Sequence, residues 1–261
     1  MSFFSDISAI QNIVYIFSSI LFISGIKMLG KEDTAVRGNF LSASAMFIAV
    51  AVTIINVVNP VIVLIGVSIG AVIGSLIALR VKMTSIPEMV ALFNGFGGLA
   101  TFFIAWSEFN AIPDNVFQFI VIMLTTYIGG VTFSGSIIAY GKLSEKLKVK
   151  KDSFVTKIFT TFFYASILFL VYSIGFTEII ELPINFYTVL LILTLLGGIG
   201  FVIPIGGGDM PVVISLLNSF SGIAAAFAGL LLLNNVLIVA GSLVGASGLI
   251  LTIIMAKAMN R

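Results

Sequence analysis

The chain has 261 residues, of which 59% are hydrophobic and 9% are charged, and its net charge is +2. Soluble domains average about 45–50% apolar and about 25% charged residues, so this composition excludes a water-soluble globular protein. The sequence has no cysteine and no histidine, which excludes disulfides, thiolate metal sites and the commonest metal ligand. No metal site is therefore predicted.

Nine stretches of the chain are long and apolar enough to be transmembrane helices. A helix needs about 20 apolar residues to cross about 30 Å of hydrocarbon. The first stretch lacks the basic segment and the small-residue cleavage site of a signal peptide, so we expect it to be retained as a span. We predict an all-α membrane protein, a bundle of about nine transmembrane helices at residues 7–29, 40–58, 61–79, 87–106, 116–140, 154–174, 184–205, 211–233 and 236–256.

The distribution of charge predicts the orientation of this bundle. When nine spans are threaded with the amino terminus outside, all 13 Lys and Arg residues fall on one side. Basic residues are enriched in cytoplasmic loops, so this side and the carboxyl terminus are predicted to be cytoplasmic. Because a basic loop beside a span is a topology signal, no nucleic acid is expected as a partner. The outer side then holds Asp6, Glu108, Asp114, Glu178 and Glu181.

An internal repeat relates two of the predicted spans. Residues 86–100 align without gaps with residues 210–224, at a constant offset of 124 and with six identities in fifteen positions. Both copies begin a span on the cytoplasmic side, so the repeat is parallel, about an axis along the membrane normal. True duplication and chance similarity between apolar segments both remain open. Residues 1–261 are predicted to form one transmembrane domain.

Three polar residues are predicted to lie at one depth in the membrane. Asn94 and Asn218 each follow the proline that begins their span by seven residues, and Ser136 precedes the charged end of its span by six, so each lies about 10 Å inward. Unpaired amides in hydrocarbon are costly, so both asparagines must face protein or water. Thr132 and Ser215 lie on the same polar stripes. A water-lined proton pathway and a dry hydrogen-bonded cluster remain as alternatives.

Glycines recur along several of the spans at helical spacing. Small residues let the backbones of two membrane helices approach closely, so we interpret these glycines as sites of helix packing. The glycines with this predicted role are Gly66, Gly70, Gly74, Gly98, Gly222, Gly229, Gly241, Gly245 and Gly248.

A glycine-rich segment precedes the eighth span. The sequence PIGGGDMP contains Gly206, Gly207 and Gly208, followed by Asp209. It fits a loop that ends in a helix N-cap, with proline tolerated in the first turn, and it also fits a hinge. No GxGxxG or GxxxxGK[ST] motif occurs in the sequence, so this chain is predicted to bind no nucleotide itself.

Several motifs resemble one known family. The run GGGDMPVVISLLNSFSGIAAAFAG, followed by LIVAGSLVGASG and MAKAMNR, is similar to the membrane domain of the beta subunit of proton-translocating nicotinamide nucleotide transhydrogenase. MTSIPEMVA and GGVTFSGSIIAYGKL fit the same family in the same order. The resemblance implies nine spans with an outside amino terminus, in a bacterial plasma membrane.

The resemblance also implies an activity and a set of partners. In this family, hydride passes between NAD(H) and NADP(H) on two extramembrane domains, coupled to proton movement through the bundle. The implied partners are the alpha subunits, including a short membrane subunit and the NAD(H)-binding domain, and the enzyme is expected to be a dimer of protomers. An NADP(H)-binding domain is expected to follow Arg261, in a longer chain or encoded separately.

The family's functional residues can be carried over by position. Asp209 matches an aspartate at the cytoplasmic edge that couples the bundle to the nucleotide domain, Asn218 an intramembrane asparagine, and Ser136 a polar residue of the fifth span. Asn94 departs from the family, since many members have a histidine there that is regarded as the proton carrier. An amide does not titrate near neutral pH, so a histidine on the partner membrane subunit is the first replacement that we consider.

Two other functions remain as alternatives at this point. A secondary transporter of a small solute would also have parallel repeats and a polar site in the middle of the membrane. A structural membrane subunit of a larger complex would keep the packing glycines and would tolerate leucine in place of Asn94 and Asn218.

Overall fold

The computed structural model describes residues 2–55, 57, 59–111, 115–150, 153–175 and 184–260. Side chains are described from residue 9 onward, except at residues 184 and 185. The predicted outer residues Asp114, Glu178 and Glu181 lie outside this part of the chain, as does the side chain of Asp6.

Nine α-helices account for most of the described residues, and no strand occurs among them. This result confirms the predicted all-α membrane fold. Eight of the helices are long and apolar enough to cross a membrane, and the seventh has a shorter apolar stretch, Phe186–Val202. In chain order the helices are α1 (Ser2–Leu29), α2 (Glu32–Ile55), α3 (Pro60–Arg80), α4 (Ile86–Asn110), α5 (Val116–Leu143), α6 (Phe154–Gly175), α7 (Ile184–Val202), α8 (Met210–Leu231) and α9 (Asn235–Ala258).

The helix ends differ from the predicted spans most clearly in α2 and α7. α2 begins at Glu32, before the predicted span 40–58, and its first turn contains Glu32 and Asp33, which are favourable at the positive end of a helix dipole. α7 ends at Val202, and residues 203–206 are not helical. Hydropathy locates the apolar part of a helix rather than its hydrogen-bonded ends, so differences of this kind are expected.

The chain divides into two compact units, Met1–Val81 and Lys82–Arg261. In the first unit, α1 and α2 form an antiparallel hairpin. A Cβ placed on Gly38 would lie 2.7 Å from the carbonyl oxygen of Gly25, so the two backbones are in close contact there. The Tyr15 hydroxyl also forms a hydrogen bond with Oγ1 of Thr53, at 2.8 Å.

Within the first unit, no helix packs against the glycines of α3, for which the sequence predicts a packing role. No atom of the described chain lies within 4 Å of a Cβ placed on Gly66, Gly70 or Gly74. None of the residues of α3 is buried, and within its unit this helix contacts α2 only weakly. Glycine at every fourth position allows a second helix to pack closely, but the spacing alone does not show that a second helix lies there.

The second unit is built around α5. This helix packs against α4, α7 and α8, while α8 pairs with α9 and α6 pairs with α7. Two apolar clusters form the core of the unit. One cluster groups Ala91, Ala139, Val202, Met210, Val213, Ile214 and Leu217. The other groups Ala105, Phe119, Ile122, Met123, Leu170, Tyr187 and Leu190.

Glycines allow the paired helices of the second unit to approach closely. A Cβ on Gly98 would lie 2.9 Å from the carbonyl oxygen of Gly129, and a Cβ on Gly129 would lie 2.9 Å from that of Gly98. Gly222 and Gly241 have the same mutual relation, at 2.9 and 2.7 Å. Close packing of this kind drives helix association in lipid, where the hydrophobic effect between helices is absent. The remaining predicted glycines also lie against α8 or α9, with Gly229 next to Ile238, Gly245 next to Ile223 and Gly248 next to Ser219.

The starts of α4 and α8 correspond at the offset of the predicted repeat. A 3₁₀ turn at Met83–Ser85 precedes α4, and one at Gly207–Asp209 precedes α8, so turns and helix starts are both 124 residues apart. Gly98 and Gly222 have the same separation, and each lies in close contact with the next helix of the chain. These correspondences support a duplicated pair of helices, α4 with α5 and α8 with α9.

The variant Gly98→Ala is expected to lower the free energy of unfolding by about 1–3 kcal/mol, because the added methyl group must push α5 away from α4. Gly97→Ala is the matched control, since no described atom lies within 4 Å of a Cβ at Gly97. Alanine there gains up to about 1 kcal/mol of helix propensity. Unfolding of both variants in detergent, followed by circular dichroism, measures the difference. Equal stability of the two variants would contradict the close contact of α4 with α5.

Candidate functional site

Two of the predicted polar residues, Asn94 and Ser136, meet in the second unit together with Ser221. The side chain of Asn94 on α4 donates from Nδ2 to Oγ of Ser136 on α5, at 3.0 Å. Its Oδ1 accepts a hydrogen bond from Oγ of Ser221 on α8, at 2.7 Å. One amide therefore connects three helices, and we call these three residues the Asn94 cluster.

Small residues of α4 position this cluster. A Cβ on Gly95 would lie only 3.1 Å from the Cβ of Ser136, which is tighter than an ordinary contact. Because glycine leaves this space empty, α5 approaches α4 closely enough for the Asn94 amide to reach the Ser136 hydroxyl. Ser136 is fully buried, and Asn94 and Ser221 are half-buried.

The Asn94 cluster has the geometry of the dry alternative. Both ends of the amide bond directly to serine hydroxyls, at 3.0 and 2.7 Å, and no water molecule fits within such distances. None of the three side chains titrates near neutral pH. The described part of the chain also contains no group of His, Cys, Asp or Glu that could hold a metal ion. In this conformation the cluster holds α4, α5 and α8 together.

Thr132 lies one helical turn before Ser136 on α5. Its side chain is fully buried, and its Cβ would lie 3.0 Å from a Cβ on Gly98 of α4. Its Oγ1 has no hydrogen-bond partner among the described residues. A buried hydroxyl without a partner costs about 1–3 kcal/mol. This unpaired oxygen lies one helical turn from Ser136 of the Asn94 cluster.

Asn218 does not join the Asn94 cluster, contrary to the expectation that all three polar residues meet. Its side chain is exposed on α8, whereas Ser221, three residues later, bonds to Asn94. The expectation assumed that equivalent positions of the repeat converge on one centre. In a parallel repeat each copy instead contacts its own neighbour, and here Gly98 contacts α5 while Gly222 contacts α9. The two asparagines therefore have different surroundings.

Ser215 belongs to the contact between α8 and α9. Its Oγ accepts a hydrogen bond from Oγ1 of Thr252 at 3.0 Å and donates to the carbonyl oxygen of Gly248 at 3.4 Å. One turn later, Ser219 donates to the carbonyl oxygen of Gly245 at 2.6 Å. Ser215 therefore lies on the α9 side of α8, apart from the side that bonds to α4.

Sequence reasoning does not identify Ser221 as a site residue. In the repeat Ser221 corresponds to Gly97, which has no side chain. Comparison of the two copies therefore does not indicate a polar residue at this position. A usable signal is nevertheless present along α8. Ser221 lies on the same helical face as the buried residues Ile214, Leu217 and Ala228, and a hydroxyl on an apolar face needs a partner.

The predicted coupling residues lie between α7 and α8, and we call residues 206–209 the coupling segment. Gly206, Gly207 and Gly208 are exposed, none has a positive φ, and no described atom lies within 4 Å of a Cβ on any of them. Glycine is therefore needed here neither for a left-handed turn nor for packing within the described chain. Asp209 is half-buried at the N-cap position of α8 but makes no side-chain cap hydrogen bond, so the simple N-cap interpretation is not supported.

Lys142 contacts the turn that leads into the coupling segment. From the last turn of α5, its Nζ donates to the carbonyl oxygens of Val202 at 3.3 Å, Ile203 at 2.5 Å and Ile205 at 2.5 Å. The sequence identifies this lysine only as part of the charge asymmetry. A cavity of about 290 Å³ adjoins it, lined by Lys142, Leu147, Lys148, Val149 and residues 203–207.

Comparison with known proteins gives a consistent set of relatives. The family model of the NAD(P) transhydrogenase beta subunit matches residues 11–261. Two curated relatives from Rhodospirillum rubrum, one of them from a defined strain, are named NAD(P) transhydrogenase subunit beta, and each is 36% identical to this chain over 259 residues. The matches cover 95% of this chain and 55% of each relative, so the chain spans about half the length of the curated relatives it matches.

Asn94→Leu is expected to destabilise the isolated chain by about 1–2 kcal/mol, because it removes two interhelical hydrogen bonds that average about 0.6 kcal/mol each in membrane proteins and leaves serine hydroxyls unpaired. Asn218→Leu is the matched control. The same change at the equivalent position of the repeat, on the exposed side of α8, should alter stability by less than about 0.5 kcal/mol. Unfolding in detergent measures the stability of both variants. A larger loss of stability in Asn218→Leu than in Asn94→Leu would contradict the assignment of Asn94, rather than Asn218, to the hydrogen-bonded cluster.

Proposed function

Because the chain belongs to the NAD(P) transhydrogenase beta subunit family, we propose that it is the proton-translocating membrane domain of a nicotinamide nucleotide transhydrogenase. In this role it couples proton movement across the membrane to hydride transfer between NAD(H) and NADP(H). The observation that carries the proposal is the family match over residues 11–261, which includes α2–α9 and most of α1. A secondary transporter and a structural subunit have no comparable support.

The nucleotides are proposed to bind outside this bundle. The sequence has no glycine-rich phosphate-binding motif of its own, and the chain spans about half the length of its relatives. We place NADP(H) in a separate domain that follows or accompanies this chain, and NAD(H) in the alpha subunit. This chain then supplies the membrane part of the reaction.

The proposed assembly lies in the bacterial plasma membrane. The basic side of the bundle, including residues 142–150, is placed in the cytoplasm, with the amino terminus outside. The alpha subunits contribute a short membrane subunit that packs beside this bundle, and two protomers form a dimer. With this orientation, the coupling segment lies on the same side of the membrane as the nucleotide domains.

The proposed proton route passes the Asn94 cluster. Three helices are joined by the hydrogen bonds among Asn94, Ser136 and Ser221. One helical turn before Ser136 on α5, the hydroxyl group of Thr132 has no hydrogen-bond partner among the described residues. If α4 or α8 moves away from α5, a broken Asn94 hydrogen bond leaves polar atoms that bind water, and hydrogen-bonded water can relay a proton. We propose that the cluster is a gate that is closed in the conformation described.

The proton route also needs a group that changes its charge, and the Asn94 cluster contains none. The exposed amide of Asn218 indicates where such a group would come from. An unpaired amide facing lipid is costly, so in the assembled enzyme another chain or water must cover this part of α8. We propose that the short membrane subunit packs against Asn218 and supplies the titratable side chain, with histidine as the first candidate.

The coupling segment is proposed to connect this bundle to the NADP(H)-binding domain. Its three glycines are exposed and have no packing role within the described chain, which leaves room for the backbone of another domain. Asp209 follows them directly at the start of α8, the helix that also carries Ser221. The Asp209 carboxylate can form charged hydrogen bonds with that domain, so it can bias a contact with two states.

Asp209→Asn in the assembled enzyme is expected to lower proton-coupled transhydrogenation by at least about tenfold, which is about 1.4 kcal/mol and within the usual range of coupling free energies. The physical reason is that the amide keeps the shape of the side chain but cannot change its charge. Nucleotide-driven acidification of inverted vesicles, compared with hydride transfer in proton-permeable vesicles, measures the coupling.

Glu145→Gln is the control for Asp209→Asn. Glu145 is exposed on the same predicted side of the membrane, and its ion pair with Lys148 at 3.7 Å is on the surface. Removing this charge should leave coupling unchanged. If both variants pump protons like the unmodified enzyme, Asp209 has only a structural role at the start of α8.

Asn218→Leu is expected to reduce coupled turnover of the assembled enzyme by at least about tenfold, although the isolated chain stays folded. The reason is that leucine removes the polar contact proposed for the short membrane subunit. Asn94→His should be tolerated, because the family resemblance places a histidine at that position. Turnover and proton pumping in vesicles test both variants. Full activity of Asn218→Leu would show that Asn218 is not part of the proton route. An inactive Asn94→His variant would contradict the match of Asn94 to the histidine position of the family.

A further inference from the structure

The end of α7 has carbonyl groups that need partners. The last four carbonyl groups of a helix have no donor within the helix, and Val202 and Ile203 are almost fully buried. Lys142 donates from α5 to the carbonyl oxygen of Val202 at the end of α7 and to those of Ile203 and Ile205 just beyond it. An ammonium group has three N–H donors, and here all three point to one turn of main chain. A cation at this position also interacts favourably with the negative end of the α7 dipole.

Lys142 differs from the other lysines of its neighbourhood. Lys146, Lys148 and Lys150 are exposed, and Lys148 pairs with a carboxylate of the same loop. Lys142 is instead half-buried, and its ammonium group bonds to the main chain of the turn that follows α7. A topology signal requires only that a lysine be near the membrane surface. The bonds of Lys142 are therefore an additional, local function.

These bonds are the last fixed point before the coupling segment. Ile203 is buried in the unit, but the next residues border the cavity of about 290 Å³, and Gly206 and Gly207 are exposed. Side-chain packing therefore does not hold the chain beyond Ile205. The carbonyl oxygen of Ile205, bonded to Lys142 at 2.5 Å, is one residue before the coupling segment begins.

We infer that Lys142 is a positioning residue that fixes the coupling segment to the cytoplasmic end of α5. The same helix carries Ser136, six residues before Lys142 and about 9 Å along the axis. A displacement of the coupling segment must therefore break the Lys142 hydrogen bonds or move α5, and with it one side of the Asn94 cluster. The positioning is a property of this chain, whereas its consequence for proton coupling rests on the proposed function.

Hydrogen–deuterium exchange of the complete protein in nanodiscs tests the positioning. The amide of Ile203 bonds to the carbonyl oxygen of Ile199 at 2.9 Å, and that of Ile205 to Val202 at 3.1 Å. Lys142→Met keeps a long side chain but removes all three donors, and it should accelerate exchange of these two amides about ten- to hundredfold. Lys142→Arg retains the charge and several donors, so it should restore most of the protection.

Lys150→Met is the matched control, because it removes an exposed lysine of the same loop and should leave the exchange unchanged. Unchanged exchange in Lys142→Met, or equal acceleration in Lys150→Met, overturns the inference. Uniform acceleration in every helix also overturns it, since Lys142 would then stabilise the whole unit rather than one turn. If Lys142→Met does not accumulate, Lys142→Leu is measured with the same expectation, because leucine also has no donor.

Proton coupling provides a second readout in the assembled enzyme. Lys142→Met should lower the number of protons moved per hydride transferred, and Lys142→Arg should recover it. Local exchange that accelerates while coupling stays normal would reject the connection between Lys142 and the Asn94 cluster. An unmodified enzyme that moves no protons would reject the proposed function, and the exchange result for Lys142 would still stand.

Discussion

Polar side chains in hydrocarbon must find their partners within the protein, and in the second unit α5 is the helix at which several of them meet. Ser136 bonds to Asn94 of α4 on one face, and Thr126 bonds to Tyr187 of α7 at 2.7 Å on another. At the end of the helix, Lys142 bonds to the turn that follows α7. Glycines along α5 let the neighbouring backbones come close enough for these bonds. The positions of α4, α7 and α8 therefore depend on this one helix.

The repeat explains why two similar helices have different surroundings. α4 and α8 start after equivalent 3₁₀ turns, and their equivalent glycines pack against the next helix in the chain. Asn94 is then left on a side of α4 that contacts α8, so Ser221 can reach it. Asn218 is left on the corresponding side of α8, where the described unit has no further copy to cover it. The two asparagines of the predicted repeat therefore differ, because Asn94 has hydrogen-bond partners within the described unit and Asn218 is exposed.

Sequence reasoning succeeded for features that depend on a single helix and was only partly right about which helices meet. Hydropathy predicted the nine helices, and counting residues from the helix ends placed Asn94 level with Ser136, whose side chains do bond. The polar stripe of α8 also grouped Asn218 with Ser215, but a stripe carries no information on the direction of the neighbouring helix. The glycine spacing of α3 has the same limit, since it identifies a surface for packing and within the first unit no helix lies against that surface.

The neutrality of the Asn94 cluster has a consequence for how coupling would work. Amide and hydroxyl groups change their hydrogen bonds when helices move, but they do not change their charge. The charged side chains described in this unit lie instead near helix ends or in loops, and at the predicted cytoplasmic edge Lys142 and Asp209 flank the turn between α7 and α8. Under the proposed function, a signal from the nucleotide domains must therefore reach the cluster as movement of α5 or α8, both of which bond to Asn94. In that proposal the charged groups act at the edge of the bundle, and movement of the helices transmits the effect to the neutral cluster.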